Sequence, residues 1–165
     1  MVDALPDLLF RPDDPAREAL RHRAQDLAAS IDAARAAAPV DWTGPTLLLA
    51  DIDPLLAFGR HTYLDDLWTM IGSANAVAAD GWIELTLEDV QRLDPAAIVV
   101  VESGVAATSA LDPATAPWSA LDVRAVRSGR LRVVRHPDAL RPSAGVVAVI
   151  DLLRQAAGGF AESAP

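Results

Sequence analysis

The chain has no cysteine, which excludes disulfides, cysteine–zinc centres and thiol chemistry, though it says little about compartment. It has no lysine either, so all 14 basic residues are arginines. The missing lysine and the abundant alanine fit a base-composition bias rather than a mechanism. No apolar stretch approaches the roughly 18 residues that a membrane span needs. No secretory leader is visible: the opening MVDALPDLLF carries an acid and a proline where a basic segment should lead into an apolar one. Cations are also in deficit. Twenty-three acids leave a net charge of −9, and this argues against nucleic acid or an anionic membrane as the main partner, since both need a positive face. An acidic surface suits docking onto basic groups of another protein.

What is present is a core. The chain is 52% hydrophobic and 22% charged, enough to fold as one domain of ordinary size. Residues 1–13 read as a lead-in. Asp14-Pro15 opens a long helix reaching about Ala38, with Leu20, Ala24, Leu27, Ile31 and Ala34 on one face and Arg and Asp on the other. Thr46 to Ala50 reads as a first buried strand. Thr62 caps a helix from Tyr63 to Ile71, closed by Gly72. Asn75 to Ala78 reads as a short strand and Gly81-Trp82 as a loop. Thr86 with Asp89 three places on marks a helix start, and Asp94-Pro95 stops that helix. Ala97 to Val101 has no polar alternation, the mark of a strand covered on both faces. Trp118 to Val126 reads as helix and Leu131 to Val134 as a strand. Pro142 to Ala157 reads as a last helix ended by Gly158-Gly159, and 158–165 as a loose tail. Strands alternate with helices, so the expected fold is an α/β sandwich of three layers with a mostly parallel sheet.

In open α/β sheets, ligands are met at the C-terminal ends of strands. Glu102, Ser103 and Gly104 end one strand with polar groups. Arg60, His61 and Tyr63 occupy one loop region, and the loop from Arg135 to Leu140 holds His136. His61 and His136 can converge; His22 reads as a solvated residue of the first helix. Trp82 is either a lid on a core edge or a flat wall for a planar ligand. Glu88 lies in the first turn of a helix, where the dipole favours a carboxylate, and can also pair with an arginine of a partner. Asp51-Ile52-Asp53 after a strand resembles the opening of haloacid-dehalogenase-type phosphohydrolases. However, Pro54 stands at the glycine position of that pattern, Leu55 replaces Thr or Val, and no lysine exists to steady a phosphoryl group. Without a nucleophile elbow, a phosphate loop or paired catalytic carboxylates, a binding domain is expected rather than an enzyme.

An ordered set of residues carries a second resemblance. It runs Gly59-x-x-Thr62-Tyr63-Leu64-x-Asp66-Leu67, Gly72-x-x-Asn75, Trp82-x-x-x-Thr86-x-Glu88-x-Val90 and Asp94-Pro95-x-x-Ile98-Val99-Val100. It continues through Trp118, Ala125 to Arg130 and the last strand and helix. Over residues 14–157 this resembles the C-terminal lobe of the substrate-binding proteins that serve ABC importers of cobalamin, iron-siderophores and haem, the helical-backbone metal-receptor family. The resemblance implies that 14–38 is the helix bridging two lobes, that 39–157 is the second lobe, and that the first lobe is missing or supplied by another subunit. It implies a metal-chelate ligand, a corrinoid ahead of an iron-siderophore or haem, with no covalently bound cofactor. Trp82 would flank the corrin, with Arg60, His61, Tyr63, Glu102, His136 and Arg141 facing the ligand. Glu88 would dock onto an arginine pocket of the ABC permease. The family works outside the cytoplasmic membrane; with no export signal, this chain is expected to be cytoplasmic or a fragment of an exported protein.

Overall fold

The computed structural model describes residues 15–104, 112 and 114–162. The chain divides into two compact units between Ala37 and Ala38. The first contains one helix, α1 (Pro15–Ala36), with Glu18 in its first turn and Arg35 in its last, as the helix dipole favours. His22 is exposed and lies 3.9 Å from Glu18. The expected lead-in of residues 1–13 falls outside the described residues.

The second unit is a three-layer α/β lobe. Its sheet contains β1 (Thr46–Ile52), β2 (Leu55–Phe58), β3 (Trp82–Leu85), β4 (Ala97–Glu102) and β5 (Leu131–Arg135), in spatial order β3-β2-β1-β4-β5. Strands β1, β4 and β5 are parallel neighbours, with Leu47 opposite Ile98 and Val100 opposite Val133. Strand β2 turns back antiparallel to β1, and β3 is antiparallel to β2, so four of the five strands point the same way. The unbroken apolar runs of β1 and β4 are explained by burial on both faces: Leu47, Leu48, Leu49, Ile98 and Val99 are each 0% exposed. On one face Leu47, Leu49, Ile98 and Val100 pack with Val90, Trp118, Val123 and Ala125. These come from α3 (Leu87–Leu93), a 3₁₀ turn (Trp118–Ala120) and the neighbourhood of α4 (Arg124–Arg127). On the other face lie α2 (Tyr63–Met70) and α5 (Val146–Ala161), which touch each other.

Several helix boundaries follow the residues that announced them. Thr62 caps α2 through Asp65 N–H. Thr86 and Asp89 form a reciprocal capping box on α3, and the backbone and hydroxyl of Thr86, with Arg92, hold the Asp89 carboxyl below its ordinary range.

Four expectations are corrected. The first strand runs past Ala50 to Ile52 and enters a hairpin: Asp51 Oδ1 accepts from Ile52 N–H at 2.7 Å and Asp53 N–H at 3.3 Å, and the chain returns as β2. Trp82 opens β3 instead of sitting on a loop. Residues 75–78 contribute only one isolated bridge, Asn75 to Thr46, because the Asn75 side chain takes the next backbone donor, Val77 N–H. The stretch 118–126 is two short turns, separated where Leu121 adopts extended backbone.

The last helix also differs. It starts at Val146 and runs through Gly158-Gly159 to Ala161. Glycine costs a helix roughly 1 kcal/mol against alanine, yet packing overrides it here. Phe160 is 0% exposed, its ring 5.3 Å from Trp42, with the Arg132 guanidinium 5.4 Å above it. The expected loose tail therefore contains an anchor. Phe160→Ala is expected to cost about 3–5 kcal/mol, read as a lower urea midpoint. Deleting residues 158–165 should lower it at least as far, and an unchanged midpoint in both would refute the anchor.

Candidate functional site

The site is assembled where β2 leaves the sheet. Backbone segments 59–60 and 79–81 lie against one another: Gly59 N–H donates to Gly81 O at 2.8 Å, Arg60 N–H to Ala79 O at 2.8 Å, and Gly81 N–H to Arg60 O at 2.9 Å. A Cβ on residue 59 would fall inside contact distance of the Ala79 carbonyl oxygen, so only glycine allows this approach. The second segment runs directly into Trp82. That ring is 51% exposed, the one large apolar side chain exposed among the described residues, and it leans on the buried Phe58 ring at 4.5 Å. Register pairs the same two residues across β2 and β3.

A buried polar network holds the loop between β2 and α2. The Thr62 hydroxyl donates to Gly59 O at 2.8 Å. Asp65, 8% exposed, accepts from His61 N–H at 3.2 Å and from Asn75 Nδ2 at 2.9 Å. Asn75 Nδ2 also donates to Phe58 O at 2.9 Å. His61 consequently sits in left-handed backbone (φ 61°), with its exposed imidazole 3.7 Å from Asp80.

A second group follows β5. Asp138 accepts from the Arg141 guanidinium at 3.1 Å, and Asp138 N–H donates to His136 Nδ1 at 3.1 Å. His136 N–H donates to Glu102 O at 3.1 Å, while the Glu102 carboxylate accepts from Arg135 Nε at 2.7 Å. A Cβ at Gly145 would lie 2.7 Å from His136 Cε1 and 2.8 Å from Asp138 Oδ2, so the chain entering α5 closes tightly on this group.

Tyr63 links the two groups. Its hydroxyl is buried and has no hydrogen-bond partner among the described residues. Burial pushes the phenol above its ordinary value, and the nearby Asp138 carboxylate pushes it further. The start of α2 therefore comes within electrostatic reach of the loop after β5.

The structure thus sets the loop carrying Arg60 and His61 against the segment that leads into Trp82, and joins His136 and Arg141 through Asp138. Glu102 sits beside the second group but is paired with Arg135. Glu88 is exposed on the first turn of α3. Sequence reasoning missed Asp80, Asp138 and Phe58, whose roles arise from pairing across loops. A shallow hollow between Val77–Ala79, Ile83, Leu85 and α3 contains none of the expected ligand-facing residues. Among the described residues no cluster of His, Cys, Asp or Glu could hold a metal ion, and no helix is long and apolar enough to cross a membrane. The Asp51 carboxylate caps its own turn, a structural use that leaves the phosphohydrolase resemblance without support from geometry.

No family model matches the chain. No curated protein matches it either. Solved structures do. The periplasmic haem-binding protein BhuT, in complex with two haems, superposes with a TM-score of 0.74 at 19% identity, covering 96% of this chain and 60% of that one. The periplasmic vitamin B12-binding protein BtuF of Vibrio cholerae gives 0.68 at 13% identity, covering 98% and 63%. An ABC-type Fe3+-hydroxamate transport protein from Saccharomonospora viridis gives 0.67 at 22% identity, covering 85% and 51%. The fold is that of periplasmic substrate-binding proteins. This chain spans about half to three fifths of the length of these neighbours.

Tyr63 is the only tyrosine, so an ultraviolet titration reads it alone. Its ionisation is expected above the ordinary phenol value, and Asp138→Asn should lower it part of the way back, burial being the larger cause. Because the folded value is raised, the fold loses stability as pH rises from the unfolded phenol's value through the folded one. A titration unmoved by Asp138→Asn would separate the two loops.

Proposed function

We propose that this chain is a ligand-facing lobe of an ABC-importer substrate-binding protein, non-catalytic, whose ligand is a metal chelate. One observation carries the reading: a half-exposed indole, fixed on a buried ring, stands beside polar loops in a fold shared with haem, B12 and ferric-hydroxamate binders. An exposed tryptophan held in one place offers a large rigid surface at small entropic cost, which suits a planar or bulky chelate. Arg60 and His61 border that surface; Tyr63, His136 and Arg141 lie toward the second loop. Judged on Trp82 alone, a corrinoid ranks ahead of haem or an iron-siderophore. The long helix α1 would lead to a second lobe, and Glu88 would meet an arginine of the permease, a charge-assisted contact. The setting would be the periplasm or cell envelope, as for BhuT and BtuF.

Titration of the purified chain with cobalamin, haemin and a ferric hydroxamate, followed by tryptophan fluorescence, tests this reading. At least one should quench in the micromolar range, and Trp82→Ala should weaken it tenfold or more, about 1.4 kcal/mol or above. No response to any of the three defeats it. A second reading, a docking module without a ligand, rests on Glu88, a carboxylate exposed on the first turn of α3. It expects Glu88→Arg to abolish capture by a permease while Trp82→Ala leaves capture unchanged.

A further inference from the structure

Resting on the reading above, we infer that Arg60 and Trp82 form one subsite for a planar chelate that carries a carboxylate, and that Arg60 selects such a ligand over an uncharged one. The inference starts from a census of cations. The chain has 23 acids against 14 arginines, so an arginine without an acidic or aromatic neighbour is unusual in it. In residues 38–165 the other arginines are engaged. Arg92, Arg124, Arg127, Arg135 and Arg141 face carboxylates. Arg130 and Arg132 lie over rings, and Arg154 donates to Ala38 O at 2.7 Å. Among the described residues of 38–162, Arg60 is the arginine whose side chain has no partner. The nearest acid in the pairing, Asp80, is directed instead to His61 Nε2 at 3.7 Å.

The backbone that carries this cation is fixed although its side chain is exposed. Both backbone polar groups of Arg60 are bonded to the strand-like segment that leads into Trp82. Gly59 before it admits no side chain, and His61 after it is held by Asp65. A guanidinium carried on backbone that is bonded to the segment just before an exposed indole can offer two chemistries to one ligand. The indole face takes an apolar plane. The fork of N–H donors takes a carboxylate in bidentate fashion, and arginine never loses its charge. A neutral macrocycle would satisfy only the first and would leave the guanidinium partly desolvated without a partner, which disfavours it. This points to a porphyrin-like dicarboxylate and reverses the corrinoid ranking drawn from Trp82 alone.

The test compares protoporphyrin IX with its dimethyl ester, and haemin with cyanocobalamin, on the full chain. The wild-type chain should bind the free acid about tenfold or more tighter than the ester, the range expected for a charged hydrogen bond. The preference should shrink as salt rises, because an exposed ion pair is screened. Arg60→Gln should bring the acid-to-ester ratio to about one by weakening the acid, with the ester bound as tightly as before or more tightly because no guanidinium is left to desolvate. Arg60→Lys, which keeps the charge without the fork, should retain part of the preference. Trp82→Leu should weaken acid and ester alike. Equal binding of acid and ester by the wild-type chain, or an undiminished ratio in Arg60→Gln of unchanged melting temperature, overturns the inference. So does tight cobalamin or hydroxamate binding with no porphyrin binding, an outcome that leaves the proposed function standing. Silence toward every chelate removes the proposed function itself, and the subsite with it.

Discussion

The amide of Asn75 ties together the segments on which the candidate site depends. Its Nδ2 donates to Phe58 O and to the Asp65 carboxylate, and its Oδ1 accepts from Val77 N–H. Its backbone bridges to Thr46 at the start of β1. The exit of β2, the first turn of α2 and the chain leaving α2 are thereby held at one point. A carboxylate as buried as that of Asp65 is tolerable only when donors surround it, and Asn75 and the His61 backbone supply them. This network sets the left-handed turn at His61. That turn in turn places Arg60 against the segment that carries Trp82. Loss of one donor would leave a buried group unsatisfied and release the whole loop rather than a single contact.

The exposed ion pairs have a smaller role. Such pairs are worth about 0–1 kcal/mol each, too little to hold a lobe whose central strands are fully buried. They shape corners instead. Asp94, in left-handed backbone after α3, accepts from Arg124 N–H at 2.8 Å and from the Arg124 guanidinium at 2.8 Å. These contacts draw the start of α4 to the end of α3, and they hold the Asp94 carboxyl below its ordinary range, the backbone hydrogen bond most of all. The corner is therefore fully formed above the ordinary carboxylate range and loosens only as pH falls through the lowered value.

Much of the architecture could be read from local signals because the physics there is local. The caps at Thr62 and Thr86 satisfy donors within one turn, and the runs at 46–50 and 97–101 announce burial on two faces. The β2–β3 ribbon escaped because its strands are four residues long and are defined by each other. Leu55–Phe58 is apolar without alternation. The alternating exposure of Trp82–Leu85 becomes meaningful only once β2 lies beside it. Gly158-Gly159 reads as a stop on propensity alone, and the Trp42 ring that receives Phe160 beyond it lies far away in sequence. Within the site, residue type suggested Trp82, Arg60 and His136, whereas Asp80 and Asp138 are ordinary acids until folding sets them opposite His61 and Arg141.

The same contrast bears on what the Asp51 carboxylate and the Trp82 ring are each free to do. A nucleophilic or general-base carboxylate must keep lone pairs free and aimed at a reacting atom. Asp51 Oδ1 instead accepts from the next two backbone N–H groups of its own turn, so a hairpin needs it whatever the lobe does. Trp82 presents the reverse case. Its ring covers part of Phe58, which is 1% exposed, yet about half of its own surface still faces water. An exposed tryptophan on a rigid backing incurs a hydration cost that a polar residue at the same pleat position would avoid. Contact with something outside the chain would offset that cost. The polar, rigid surroundings of the ring, rather than a nucleophile, are the features that such contact would use.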